Sequence, residues 1–468
     1  MTAMLSPRQQ ALGLAAVTLA VFWPTLSARF VYDAVLQIQT GDFIHDPWNW
    51  LPVLSLRVLG MDVLDFNRPV HLASLMLDAA VWGREPFGYH LTSVLVHALN
   101  VVMVWGVMRG LPRGGGQGLA EVLAALLFAV HPLVTEAVCE PTFREDLLVA
   151  ACTLGALLLA IRHDPAHPGG DRWRALGCAG LCFLAVASKE SGIAAPAVLA
   201  VYWLLLRRGE PRRFWQLAVG GGTAAAIAFL AARFLLEPET SAIFEAKPQY
   251  PGGSFAAAMA IEPRILALYA QLVVFPVNLC ADYGIYSVRH LPLPVALAIL
   301  AGLVTAAAFA IRADRRLALA AALIVLPLVP VSNLFPIYRA AADRYMYLPM
   351  AGVALAVGWL LDGPWLAARP QLREKALIAA MAAVALLGYG CVERQKVWAN
   401  PLALWEDTFR KDPVAYTAAS GLAEALRDVG RLPEAERAVR EAIRLSDGKR
   451  GDPWAVLALI LEAQGREA

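Results

Sequence analysis

Asp33 stands alone in the stretch SARFVYDAVLQIQ, residues 27–39, just after the first long apolar run. A carboxylate at a bilayer edge can be a solvated loop acid, or a general base held where lipid meets water. Three further segments concentrate charge. The corner HPLVTEAVCEPTFREDLLVA carries His131, Glu136, Arg144, Glu145 and Asp146 where one apolar run ends and the next begins. SKESG sets Lys189 and Glu190 at the tip between two short runs, and YRAAADRYMY supplies Arg339, Asp343 and Arg344. Charge beside a bilayer is costly enough to need a partner or a task. The plain readings are a helix-capping salt-bridge cluster at the corner and an i, i+4 pair of Arg339 with Asp343.

The elements that must position these residues are membrane helices. Of the 468 residues, 59% are hydrophobic and only 17% charged, and the mean hydropathy is +0.55. Runs such as ALGLAAVTLAVFWPTL and LIAAMAAVALLGYG are apolar around their whole circumference, which excludes a soluble globule. A net charge of +2 gives no reason to expect nucleic acid as a partner. The six cysteines form no Cys-x-x-Cys pair and read as small buried hydrophobes. No small-x-small cleavage site follows the first run, which therefore reads as a retained span.

Lys and Arg in short connections set the orientation. Arg109 with Arg113, then Arg162, Arg172 and Arg174, RRGEPRRF at 207–214, RADRR at 312–316, and Arg369, Arg373 and Lys375 all fall on one side if residues 263–280 do not cross. That short segment, with Pro276 inside it, reads as a re-entrant or interface-lying helix, and RPVHLASLMLDAAVWG at 68–83 as a second interface helix with Arg68 and His71 at its start. The fold expected is all-α: a polytopic bundle of about eleven transmembrane helices, N-terminus cytoplasmic and C-terminus external. Residues 29–86 and 237–292 form the large external loops, and Trp48, Trp50, Tyr250, Tyr283 and Tyr286 are their sugar-stacking or interfacial aromatics.

The domain at 1–391 gives way at 392–468 to the composition of soluble amphipathic helices. YTAASGLAEALRDVGRLPEAERAVREAIRLSD fits a tetratricopeptide (TPR) frame of about 34 residues. Ala419, Leu422, Ala423 and Leu426 fill the first helix, Gly430 the turn, and Ala435, Val439 and Ala442 the second helix. The register resumes at Trp454, and PLALWEDTFRKDP reads as the closing helix of an earlier partial unit. Any helical hairpin is the plainer reading, but it would not usually match small residues at so many fixed positions. Such a module binds peptides or caps the membrane domain.

Taken in order, FVYDA, NRPVHLAS with GYHLTSVLVHALN, HPLVTEAV with REDLL, SKESG, PVNLCADYG and SNLFPIYRAAADRYMYLP resemble the transmembrane and tetratricopeptide-repeat-containing O-mannosyltransferases and their bacterial relatives, within the GT-C glycosyltransferase superfamily. The resemblance runs over nearly the whole chain. It implies a GT-C-type bundle, a polyprenyl-phosphate-linked sugar donor, an external active site and inverting transfer of a mannose-like sugar to a hydroxyl. A protein Ser/Thr, a cell-envelope glycan and a lipid each present one, and the repeats tilt the choice toward a polypeptide. The family's first-loop acidic motif maps onto Asp33, while Ala34 stands where a second acid is usual; Asp42, Asp46, Asp62 and Asp65 are the loop acids that could replace it.

In that chemistry Asp33 takes the acceptor proton, and Arg344, Arg339, Lys189 and Arg144 are the candidate holders of the donor phosphate. Glu136, Glu145, Glu190, Arg68, His131 and Asp343 support them. Some members of the superfamily use a divalent metal, but no His, Asp or Glu spacing marks a metal site here. Between a bacterial inner membrane and the endoplasmic reticulum, the short repeat tail, the Ala- and Arg-rich composition and the modest length lean to the bacterial one, with the TPR tail periplasmic. A lipid or polysaccharide transporter and a non-catalytic TPR scaffold are the other readings; charge at span ends rather than mid-bilayer disfavours the transporter.

Overall fold

The computed structural model describes residues 6–111, 118–165, 171–237, 249–284, 288, 291–448 and 450–466. Arg113, Tyr286 and part of the 237–292 loop lie outside the described residues. The described chain is all-helical, without strands. Six helices are long and apolar enough to cross a membrane: Pro86–Gly110, Arg212–Leu236, Phe255–Val274, Leu293–Ala313, Asp343–Ala367 and Pro370–Val397. A seventh candidate is the pair Leu119–Val130 and Pro132–Cys139, bent by 50°. Pro132 accounts for the bend, because it lacks the N–H that would continue the ladder.

About eleven spans were expected; the other stretches expected to cross form helices that do not combine the length and composition of a span. Pro7–Val21 starts on a Ser6–Gln9 capping box and gives way at Pro24 to a 3-10 turn. The 3-10 stretch Leu326–Val331 contains Pro327 and Pro330 and cuts Arg316–Val325 short. Arg144, Glu145 and Asp146 load the first turn of Arg144–Ile161 with charge. One expectation changes. The segment expected as a short interface or re-entrant helix at 263–280 is a 20-residue helix, Phe255–Val274, starting on the Ser254 side-chain cap. It has the length and composition of a span, and residues 275–284 beyond it are a loop that carries Asp282.

Helices packed in lipid gain nothing from excluding water, so close approach between small residues matters more. A Cβ on Gly358 would meet Ala124 Cβ at 2.8 Å and Met108 Cε at 2.9 Å, and one on Gly352 would meet the Ala320 carbonyl at 2.8 Å. Buried polar groups tie the same bundle: Asn100 donates to the Leu147 carbonyl (2.9 Å) and to the Tyr347 hydroxyl (3.1 Å), which also bonds His97 Nδ1 at 2.7 Å.

The loop after the first helix, expected to be external, folds on its own apolar cluster, in which Phe30, Ala34, Ile38, Ile44 and Val53 pack against Leu72, Leu75, Met76 and Tyr89. Its helix Pro69–Trp82 buries Leu72, Leu75 and Met76 and exposes Leu77 and Val81, as an interface-lying helix would.

After Val397 come four helices, Pro401–Lys411, Tyr416–Asp428, Leu432–Leu445 and Gly451–Ala463. Gly430, with φ of 78°, makes the turn between the middle two. Ala419, Ala423, Leu426, Ala435, Val439 and Ala442 are buried. All six cysteines are free and buried.

Candidate active site

Asp33 follows Tyr32, whose φ of 52° places a bulky residue in the left-handed region. Such a backbone costs about 1–3 kcal/mol and persists only where its surroundings hold it. Here Tyr32 stacks on Trp405 (5.4 Å between centroids, 18° between planes) and meets Phe143 edge-on at 5.6 Å. The Arg339 guanidinium lies 5.7 Å from its centroid. The turn presents Asp33, which makes no ion pair or side-chain hydrogen bond with any described residue. Asp33 is exposed by area, with the Arg344 and Arg339 charges within electrostatic reach. Desolvation pushes its carboxyl above the usual aspartate range, against the downward pull of Arg344 and then Arg339.

Those two arginines are held rigidly. Arg344 Nη1 donates to Glu136, whose other oxygen accepts the Arg344 backbone N–H at 3.1 Å. Its guanidinium lies 3.9 Å from the Phe143 centroid and 5.3 Å from that of Tyr345. Its Nε and Nη2 bond to no described residue. Arg339 Nη1 donates to Asp282 at 2.6 Å, and its side chain keeps 27% exposure. Two fixed guanidiniums within electrostatic reach of one unpartnered carboxylate can hold a phosphate beside a base.

A second network adjoins them. Lys189 Nζ reaches Glu145 at 2.9 Å and Asp146 at 2.6 Å, and lies 5.3 Å from the Tyr345 centroid. Those acids keep the ammonium charged despite its burial, and its affinity for a proton is raised. Arg68 bridges Asp65 (2.8 Å), Glu145 (2.5 Å) and Glu190 (3.3 Å), and Arg233 pairs with Glu190 at 3.1 Å. A pocket lined by Asp146, Val149, Ser191, Pro327, Val331, Tyr345 and Leu348 opens beside Lys189, with an apolar flank of Val149, Pro327, Val331 and Leu348.

Three sequence candidates lie elsewhere. Arg144 is fully buried on Asp78 (2.6 Å), Ser93 (3.1 Å) and the Tyr89 carbonyl (2.8 Å), and its partners are neither Glu136 nor Glu145. His131 accepts the Leu133 N–H and meets the Val273 carbonyl at the Pro132 bend. Asp343 accepts from Tyr283 at 2.5 Å and lies 4.0 Å from Arg394, so the expected Arg339–Asp343 helical pair is absent. The chain at 339–342 is not helical. Tyr283 is thereby buried, away from any role as a sugar platform.

Sequence reading missed Glu140, Asp282, Tyr345 and Trp405. Glu140 accepts the Ala34 N–H at 3.1 Å, and burial raises its carboxyl well above the usual range. Asp282 sits in the CADYG motif and Glu140 in the same corner as Glu136, so both had a signal; Trp405 had none.

Asp65, His71 and Glu145 each offer a ligand atom, all within 4.8 Å of one another. Arg68 already sits on both carboxylates and Lys189 on Glu145. A dication would therefore meet two fixed positive charges, and this group does not fit a metal.

No family model matches the chain. Two curated relatives align over most of it. Protein O-mannosyl-transferase Tmtc3 of Drosophila melanogaster is 26% identical over 452 residues, covering 81% of this chain and 48% of that protein. Protein O-mannosyl-transferase F38B6.6 of Caenorhabditis elegans is 23% identical over 451 residues, covering 92% and 62%. Over most of its length the chain is similar to proteins named protein O-mannosyl-transferases. It spans less than two thirds of the length of either. Protein O-mannosyl-transferase Tmtc2 of Drosophila melanogaster reaches 33% identity over 193 residues, 38% of this chain and 20% of that protein. Among solved structures, ArnT from Cupriavidus metallidurans bound to undecaprenyl phosphate is 17% identical, covers 97% of this chain and 77% of that chain, and has a TM-score of 0.43. Its apo form is 19% identical and has a TM-score of 0.45.

Proposed function

We propose that the chain is an integral-membrane inverting glycosyltransferase of the GT-C type. It moves a mannose-like sugar from a polyprenyl-phosphate donor to a hydroxyl, a protein Ser or Thr, on the external face of a bacterial inner membrane. The observation that carries this reading is Asp33, a carboxylate with no hydrogen-bond or ion-pair partner among the described residues, within electrostatic reach of Arg344 and Arg339. The curated relatives are named for O-mannosyl transfer, which agrees with it.

In the reaction the acceptor oxygen attacks the anomeric carbon while its proton passes to the Asp33 carboxylate. The bond from that carbon to the phosphate oxygen breaks on the opposite face, inverting the centre. The lipid phosphate leaves as an anion and needs no proton, but it does need cations. Arg344 and Arg339 supply these, with Lys189 behind them. Glu136 and Asp282 hold the two arginines, while Glu145 and Glu190 hold Lys189 and Arg68. Arg144, His131 and Asp343 keep the scaffold. On this reading the Asp33 loop is external and the N-terminus cytoplasmic; the stacking of Trp405 on Tyr32 supports a TPR module at residues 392–468 on that same external side.

The test is to incubate the purified chain with radiolabelled polyprenyl-phosphate mannose and an extract of external proteins. Label appearing on protein with wild type, and not with Asp33→Asn, supports the reading. Uptake of donor into vesicles without transfer would favour a transporter, and neither result a scaffold.

A further inference from the structure

The tail does more than follow the membrane domain; it contacts Tyr32, beside Asp33, and Asp282, the partner of Arg339. Trp405, on the helix Pro401–Lys411, stacks on Tyr32 immediately before Asp33. Thr417, on the helix Tyr416–Asp428, donates to Asp282 Oδ2, the same oxygen that receives Arg339 Nη1. Around these contacts Asp412 accepts the Gly284 N–H at 2.9 Å, Lys411 donates to the Leu279 carbonyl at 2.7 Å, and Arg394 pairs with Asp407 at 2.7 Å.

Gly421 completes the arrangement. A Cβ there would stand 2.4 Å from the Trp405 ring, so the missing side chain is what lets the indole lie flat on the neighbouring helix and still reach Tyr32. Tyr32 is bracketed by the indole and the Arg339 guanidinium. Its left-handed backbone needs outside support, and much of that support comes from the tail.

We propose that Trp405 and Thr417 are positioning residues for sugar transfer, Trp405 fixing the turn that aims Asp33 and Thr417 fixing Asp282 and through it Arg339. Residues 392–468 are then part of the catalytic apparatus and not a detachable arm that only gathers acceptors. The inference rests on the glycosyltransferase reading for its kinetic arm, while its structural arm stands apart from that reading.

The experiment uses the full chain in proteoliposomes as wild type, Trp405→Ala, Trp405→Phe, Gly421→Ala and Thr417→Val. It measures transfer from polyprenyl-phosphate mannose and hydrogen exchange over residues 28–40. A misplacement of about 1 Å can cost on the order of a hundredfold in rate. Trp405→Ala and Gly421→Ala should lower kcat at least about tenfold with acceptor KM unchanged, and should speed exchange at 28–40. Trp405→Phe, which keeps a stacking ring, should recover most of the rate. Thr417→Val should raise donor KM with a smaller effect on kcat, because Arg339 loses register. Unchanged exchange at 28–40 in Trp405→Ala overturns the inference, and so does a change confined to acceptor KM. A wild type that transfers no sugar contradicts the glycosyltransferase reading instead, and exchange at 28–40 then decides the inference alone.

Discussion

At the scale of single residues, the site is defined by one carboxylate left alone. Glu136, Glu145, Asp146, Glu190 and Asp282 are each committed to an arginine or lysine. Asp33 has charges near it but no hydrogen-bond or ion-pair partner among the described residues, and its proton affinity is raised by desolvation. The sign matters for activity. A base must be deprotonated, so kcat should rise with pH through a midpoint above the ordinary aspartate value of about 3.9. Replacing Arg344 with Gln removes the largest downward influence on that midpoint, and the acid limb should move to still higher pH. A limb that stays in place in a kcat profile would mean that Asp33 is not the titrating base.

The sequence made Ala34 look like a missing acid. In the fold Ala34 is buried among Phe30, Ile38 and Tyr89, with its N–H on Glu140. A carboxylate at 34 would enter that packing and meet Glu140. One-dimensional sequence cannot show which way position 34 faces.

At the scale of elements, the helix starts carry the site, and prolines and charge clusters make those starts. The charged segments at 131–146, 189–190 and 339–344 were legible because charge at the end of an apolar run is rarely idle. Their pairing was not legible, since ion pairs between distant helices depend on packing angles. Arg144 shows the difference: it belongs to the same corner as Glu136 but points into the bundle at Asp78. Arg144→Gln should cost the fold about 3–5 kcal/mol, by leaving Asp78 buried and unpaired. Thermal unfolding in detergent would show a large drop, and the double change Arg144→Met with Asp78→Leu should recover most of it. Unchanged stability together with weakened donor binding would return Arg144 to the phosphate site. Close helix approach gives a second expectation. Gly358→Leu would drive into Met108 and Ala124 and should destabilise the bundle by about 1–3 kcal/mol or more, read in the same assay.

At the scale of the whole molecule, hydropathy marked the stretches that form the long apolar helices, and small-residue spacing placed the tail helices around Gly430. The helix at Phe255–Val274 was longer than its apolar core because Ser254 caps it well upstream of the run. The docking of the tail on Tyr32 and Asp282 had no sequence signature, because stacking and single hydrogen bonds between remote segments leave no periodicity. The most direct measurement of the central claim compares sugar transfer and folding in Asp33→Asn. An ionised Asp33 with raised proton affinity destabilises the fold above that raised midpoint, so removing its charge should leave the melting temperature at neutral pH equal or higher. Donor should still bind through the arginines. Transfer from polyprenyl-phosphate mannose should fall to background in a stable, donor-binding protein; transfer at the wild-type rate would contradict Asp33 as the base.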